Sequence, residues 1–225
     1  MVPIIHDCTT FLLVNKPVGL SCHRDDGEAS VLDRVRMETG FADLHLVHRL
    51  DKMTSGLLLF AKGSAVAGEL GKQFAAREMG KYYLALSDRQ PKKKQGTVSG
   101  DMAAARGGGW KLLPTQSDPA VTQFVTAGMG DGTRLFLVRP RTGRTHQIRV
   151  ALKAMGSPIL GDARYGGQAA DRGYLHAYAL DFVLDGECYR FRCAPREGER
   201  WLGAALPEIL QRWGDPWDLS WPRHG

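Results

Sequence analysis

Short apolar runs separated by glycine and polar residues dominate this chain, and most have the length of a strand. Phe11 to Asn15, Leu44 to Val47, Leu57 to Ala61 and Tyr82 to Leu86 each read as one. Val121 to Thr126 and Leu135 to Arg139 flank Gly130-Asp131-Gly132, and Ala179 to Leu184 and Tyr189 to Cys193 flank Asp185-Gly186, so each pair predicts a hairpin. Other stretches repeat at helical spacing. Ser30 caps a helix bearing Val31, Leu32 and Val35, with Gly40 as its stop; Ser64 opens a second, striped by Val66, Leu70 and Phe74 and ended by Gly80. Ile148, Leu152 and Met155 predict a third from about His146 to Met155 behind Thr145 as N-cap, and Glu199 to Trp213 predicts a last one that starts or kinks near Pro207. Gln90 to Gly96 and Ala105 to Pro119 read as irregular. The paired hairpins imply an α+β fold, a mixed, largely antiparallel sheet flanked by helices.

Between the second and third strands runs His48-Arg49-Leu50-Asp51-Lys52-Met53-Thr54-Ser55-Gly56, which sets one carboxylate between two basic side chains on a connection. A carboxylate at a strand end can be held by the sheet while facing a cleft, and Arg49 and Lys52 favour its ionised form. The same residue also suits an ordinary turn, with Asp51 bonded to nearby backbone amides.

A second segment, Arg139-Pro140-Arg141-Thr142-Gly143-Arg144-Thr145-His146-Gln147-Ile148-Arg149, packs four arginines into eleven residues. That density suits a polyanion. At the N-terminus of the predicted helix, the dipole and unpaired N–H groups would help Arg144 and His146 hold a phosphate or position a carboxylate. A solvated basic helix face is the competing reading.

Composition narrows the class. The 225 residues are 43% hydrophobic and carry a formal charge of +6, enough for a sizeable core and compatible with a nucleic-acid partner. No apolar run approaches a membrane span, and the N-terminus lacks a basic segment followed by an apolar one, so a cytoplasmic protein is expected. Cys8, Cys22, Cys188 and Cys193 form no Cys-x-x-Cys pair, and with the histidines they make no ligand pattern, so no metal site is expected. Lys92-Lys93-Lys94 lies in one irregular stretch and suits either phosphate contact or plain solvation. Trp213, Trp217 and Trp221 are expected to pack the tail onto the domain rather than to stack on bases.

Together these segments resemble the RluA family of pseudouridine synthases, which isomerise chosen uridines in structured RNA. The resemblance covers most of the chain. It rests on Val14-Asn15-Lys16-Pro17-Val18-Gly19-Leu20, His48 to Gly56, Gln73-Phe74 followed by Lys81-Tyr82-Tyr83-Leu84-Ala85, Thr142 to Val150, Pro158-Ile159-Leu160-Gly161-Asp162 with Tyr165-Gly166, and Leu175-His176-Ala177, in that order. Met53, Ala151 and Ser87-Asp88 depart from the family's usual residues, outside the positions to which its chemistry maps.

The resemblance implies a pseudouridine synthase catalytic-domain fold with a central RNA-binding cleft, and a reaction that needs neither cofactor nor metal. It implies Asp51 as the essential carboxylate, whether it adds to the base, attacks the sugar or removes the 2′ proton. Arg149 maps to the arginine that pairs with that carboxylate, and Tyr83 to a tyrosine that stacks on uracil; Tyr82 points to the opposite strand face. Arg49 resembles the residue that enters the RNA stack in place of the flipped uridine. Leu175 would wall the pocket, and Arg144 and His146 would contact substrate. Fourteen residues precede Asn15, so the chain resembles the compact branch without an S4 domain: residues 1–225 are expected to form a single catalytic domain, a monomer acting on ribosomal or transfer RNA.

Overall fold

The computed structural model describes residues 1–24, 28–203 and 205–222. In chain order the elements are β1 (Ile4–Asp7), β2 (Phe11–Lys16), α1 (Val31–Thr39), β3 (Leu44–Leu46), β4 (Ser55–Lys62), α2 (Ser64–Ala76), β5 (Gly80–Ser87), β6 (Gln95–Gly100), β7 (Met102–Ala105), β8 (Gly109–Leu112), β9 (Ala120–Gly128), β10 (Arg134–Pro140), α3 (Gln147–Ala154), β11 (Leu175–Leu184), β12 (Glu187–Arg192) and α4 (Ala205–Trp213). The architecture is the expected mixed, largely antiparallel sheet with helices. The chain comprises two compact units, Met1–Gly80 with His176–Pro195, and Lys81–Leu175 with Arg196–Gly225.

In the first unit β4 is the central strand. Its run Leu57-Leu58-Leu59-Phe60-Ala61 is buried throughout, as a strand covered on both faces must be. It pairs antiparallel with β2 and with β3, and parallel with β11 at Ser55 opposite His176 and Gly56 opposite Ala177. β1 adds antiparallel to β2, and β12 to β11. Phe11, Leu59, Leu70, Met79 and Phe182 share the core under α2. α1 begins as its sequence predicts: the Ser30 hydroxyl accepts from the Asp33 N–H while the Asp33 carboxylate accepts from the Ser30 N–H, and Gly40 closes the helix at φ 74°.

In the second unit β5, β10, β9 and β6 pair antiparallel in that order, and β7 with β8 forms a separate hairpin. Phe124 and Phe136 meet in its core with ring centroids 6.0 Å apart. The tail packs as expected. Trp217 and Trp221 lie 6.5 and 5.8 Å from the buried Tyr82 ring, and the Arg139 guanidinium sits 5.6 Å from the same ring.

Three expectations are corrected. Gly80 does not end α2: that helix stops at Ala76 with Arg77 in the left-handed conformation, and Gly80 opens β5, where a Cβ would collide with the Asp181 carboxylate. The irregular stretch Gln90 to Gly96 runs into β6, whose small polar residues show no alternation and whose backbone is satisfied by β9. Ala105 to Pro119 contains β8, and Arg106–Gly108 is the turn of a hairpin. The C-terminal helix starts close to Pro207, as expected: α4 has Pro207 in its first turn, where a missing N–H costs little, and a separate 3-10 turn at Glu199–Trp201 precedes it; Ala204 lies outside the described residues.

Candidate active site

Asp51 sits, half-buried, on the loop between β3 and β4, and its carbonyl accepts the Thr54 N–H at 2.9 Å. The loop is held along its length. His48 stacks on Phe74 at 4.7 Å, and its Nε2 accepts the Leu59 N–H at 3.1 Å. The Leu50 N–H meets the Cys22 sulfur at 3.3 Å, and burial pushes the Cys22 thiol up, so it serves there as a neutral acceptor. The Lys52 carbonyl accepts the Gly19 N–H at 2.8 Å. Lys16, fully buried, gives its ammonium to the carbonyls of Leu20 at 2.7 Å, Pro17 at 2.9 Å and Lys52 at 3.5 Å. A buried ammonium demands such carbonyls, and its need ties the segment after β2 to the Asp51 loop.

The loop's basic residues part company. Arg49 is exposed while Leu50 beside it is buried. Lys52 points to Glu28 at 3.4 Å, an exposed pair of small energetic weight.

In the second unit the arginine-rich segment folds differently from its predicted form. Thr145 is not the cap of α3. The cap position is His146, in the left-handed conformation at φ 58° and making no side-chain cap bond, and the helix begins at Gln147. The Gln147 side chain organises the turn from within: its oxygen accepts from the Arg144 N–H at 3.0 Å and the Thr142 hydroxyl at 2.7 Å, and its amide donates to Val121 O and Thr122 Oγ1, both at 3.0 Å. An interior knot of this kind replaces the cap that the hydroxyl of Thr145 would have supplied.

Arg149 is buried and gives Nε and Nη2 to the two carboxylate oxygens of Asp162, at 2.7 and 2.8 Å. Its guanidinium carbon lies 4.9 Å from the centre of the Tyr165 ring. The Tyr165 hydroxyl meets His146 Nδ1 at 2.8 Å and accepts the Trp110 N–H at 3.0 Å. Tyr165 thus ties the start of α3 to the β7–β8 hairpin. Arg144 is exposed and ion-paired with Asp118. Both line a cleft of about 420 Å³ with Asp101, Met102, Trp110, Ser117, Gly143 and Thr145.

Tyr82 and Tyr83 fall on opposite faces of β5: Tyr82 is buried against the tail, and Tyr83 is half-buried. Leu175 begins β11 and is buried, as is His176 after it. Asp51 and Arg49 therefore lie in the first unit, and Tyr83, Arg144, His146, Arg149 and Leu175 in the second. Sequence reasoning assigned no role to Asp162 or Tyr165. Both belong to the Pro158 to Gly166 motif of the resemblance, but nothing in the linear chain linked them to Arg149, and that link needed the tertiary fold. Among the described residues, no group of three or more His, Cys, Asp or Glu side chains is placed to hold a metal.

The family model described as RNA pseudouridylate synthase matches residues 10–154, a span that contains both the Asp51 loop and Arg149. A Haemophilus influenzae protein described as an uncharacterized RNA pseudouridine synthase is 41% identical over 212 residues, 93% of this chain and 95% of that protein. A Pasteurella multocida protein, the dual-specificity RNA pseudouridine synthase RluA, is 35% identical over 193 residues, 80% of this chain and 85% of its own length. Among solved structures, human RNA pseudouridylate synthase domain containing 1 superposes with a TM-score of 0.77 at 27% identity, covering 94% of each chain.

Proposed function

Because the chain belongs to the RNA pseudouridylate synthase family, we propose that it isomerises chosen uridines to pseudouridine in structured ribosomal or transfer RNA, with Asp51 as the essential carboxylate. The observation that carries this reading is the family match across the segment holding Asp51 and the segment holding Arg149. The reaction breaks the bond from C1′ to N1 of uracil and forms one from C1′ to C5; the C5 proton leaves and N1 is protonated, so no outside group enters. A carboxylate beside sugar and base serves each route open to such a step, as nucleophile or as base.

The other roles follow from position. Arg149, oriented by Asp162, supplies fixed positive charge for the reaction. Tyr83 stacks on the uracil, with Tyr82 committed to packing on the opposite face. Arg49, exposed on the loop, enters the RNA stack in place of the flipped uridine, helping to offset an unstacking cost of a few kcal/mol. Leu175 forms an apolar wall, and Arg144 and His146 contact RNA. The exposed pair with Asp118 opposes transfer of Arg144 to a phosphate only weakly. The whole chain acts as one catalytic module, a monomer in the cytoplasm, and the chemistry calls on no cofactor or metal.

The test is Asp51→Asn. It is expected to abolish pseudouridine formation while leaving RNA affinity within about 1.4 kcal/mol, a tenfold change. Failure of the wild-type protein to form pseudouridine in total RNA from cells lacking it sinks the proposal, and release of free uracil would point to a hydrolase instead.

A further inference from the structure

The segment after β2 holds both neighbours of Asp51, Leu50 through the Cys22 sulfur and Lys52 through the Gly19 N–H; beyond Lys52 the loop runs through Thr54 into Ser55, the first residue of β4. There β4 meets β11 in parallel at Ser55 with His176 and Gly56 with Ala177. Parallel pairing is slightly weaker per residue than antiparallel, and two positions of it hold little alone. Two further features act at this point. Gly56, at φ 108°, lies so close to the Ala177 backbone that any Cβ would collide with the Ala177 carbonyl. The His176 imidazole, 1% exposed, spans three segments: its Nδ1 is 2.8 Å from the Ser55 hydroxyl, and its Nε2 is 2.8 Å from the Cys193 carbonyl just beyond β12.

Chemistry fixes the direction of both bonds. A carbonyl oxygen only accepts, so Nε2 carries a proton and donates to Cys193. Burial disfavours a charged imidazole, and in the neutral ring Nδ1 keeps a lone pair to which the Ser55 hydroxyl donates. The strap therefore has one hydrogen-bonding arrangement and one ring orientation.

We propose that His176 and Ser55 are positioning residues for Asp51: the neutral, Nε2-protonated imidazole pins the first residue of β4, four positions after the carboxylate, and so holds the C-terminal end of the catalytic loop in register. This role rests on the reading that Asp51 is the reacting carboxylate. A displaced carboxylate slows the chemical step without changing how the protein grips RNA, so the effect falls on rate rather than affinity.

Single-turnover pseudouridine formation at saturating RNA tests this. Ser55→Ala and His176→Gln, which keeps a donor for Cys193 but loses the Nδ1 acceptor, are expected to slow the chemical step about tenfold, with Ser55→Thr restoring it. RNA Kd is expected to stay within about twofold. Nitrogen-15 spectra of histidine-labelled wild-type protein should show His176 protonated at Nε2 alone, and Ser55→Ala should move only the Nδ1 resonance. Wild-type protein protonated at Nδ1, Ser55→Ala at wild-type rate, Ser55→Thr as slow as Ser55→Ala, or a defect confined to Kd would each overturn the proposal. Asp51→Asn run alongside separates two failures. An inert Asp51→Asn with a fast Ser55→Ala overturns the positioning role alone, whereas an active Asp51→Asn overturns the assignment of Asp51 and this proposal with it.

Discussion

Arg149 meets Asp162 in a two-pronged ion pair, Nε to one carboxylate oxygen at 2.7 Å and Nη2 to the other at 2.8 Å, with both side chains buried. The pair sets the plane of the guanidinium, and the Tyr165 ring beneath it restricts the remaining tilt. Breaking a buried pair from one side strands the other charge. Asp162→Asn is therefore expected to destabilise the protein by about 3 kcal/mol, read as a shift in urea midpoint, and to reduce pseudouridine formation in the fraction still folded. A midpoint within error of wild type would mean that Arg149 is held by other contacts.

Gly56 and Gly40 both have positive φ, at 108° and 74°, but differ in what surrounds them. A Cβ on Gly40 meets nothing within 4 Å, so Gly40→Ala should cost only the left-handed backbone penalty of about 1 kcal/mol. Gly56→Ala adds a collision with the Ala177 backbone where β4 and β11 meet, and is expected to cost at least about 2 kcal/mol more. Equal denaturation midpoints for the two variants would refute the close approach.

Burial, reinforced by the hydroxyl's bond to Asp171 at 2.5 Å, pushes the Tyr174 phenol up to about 12. Its unfolded value is about 10, so between about pH 10 and 12 the unfolded chain loses a proton that the folded chain keeps. The stability this group contributes is fully present below pH 10 and is lost as pH rises through the folded value. A spectrophotometric tyrosine titration should show one phenol ionising last, and Tyr174→Phe should remove that step. The same substitution also deprives the Arg200 N–H of its acceptor, so a stability loss of about 1 kcal/mol or more is expected at neutral pH.

Lys92, Lys93 and Lys94 are all exposed, just ahead of β6. If they touch phosphate, replacing all three with Gln should flatten the dependence of log K on log salt by about 0.7 to 0.9 for each phosphate no longer neutralised. An unchanged slope in filter binding would return the run to a solvated loop.

Much of the fold was legible because its signals are local. The Ser30 cap, the Gly40 stop and the apolar run of β4 each declare themselves within a few residues. The errors fall where a distant partner decides. β6 is a strand because β9 completes its backbone bonds, and Gly80 is a strand residue because Asp181 occupies the space beside it. At the candidate site, Asp51 and Arg149 stood out through motif and charge, whereas Asp162, Tyr165 and the inward-turned Gln147, inside the same motifs, gave no sign of their partners, since polar side chains look alike until burial supplies them.

By itself the sequence determined the family and the presence of most elements, because residue type, periodicity and motif order are properties of the linear chain. Only the tertiary structure decided that Arg149 is fixed by Asp162, that Lys16 binds the loop of Asp51 through backbone carbonyls, and that His176 straps Ser55 to Cys193. The physical reason is common to all three. Burial removes water as a partner, so each buried polar group must find another in the protein, and the fold determines which one lies within reach.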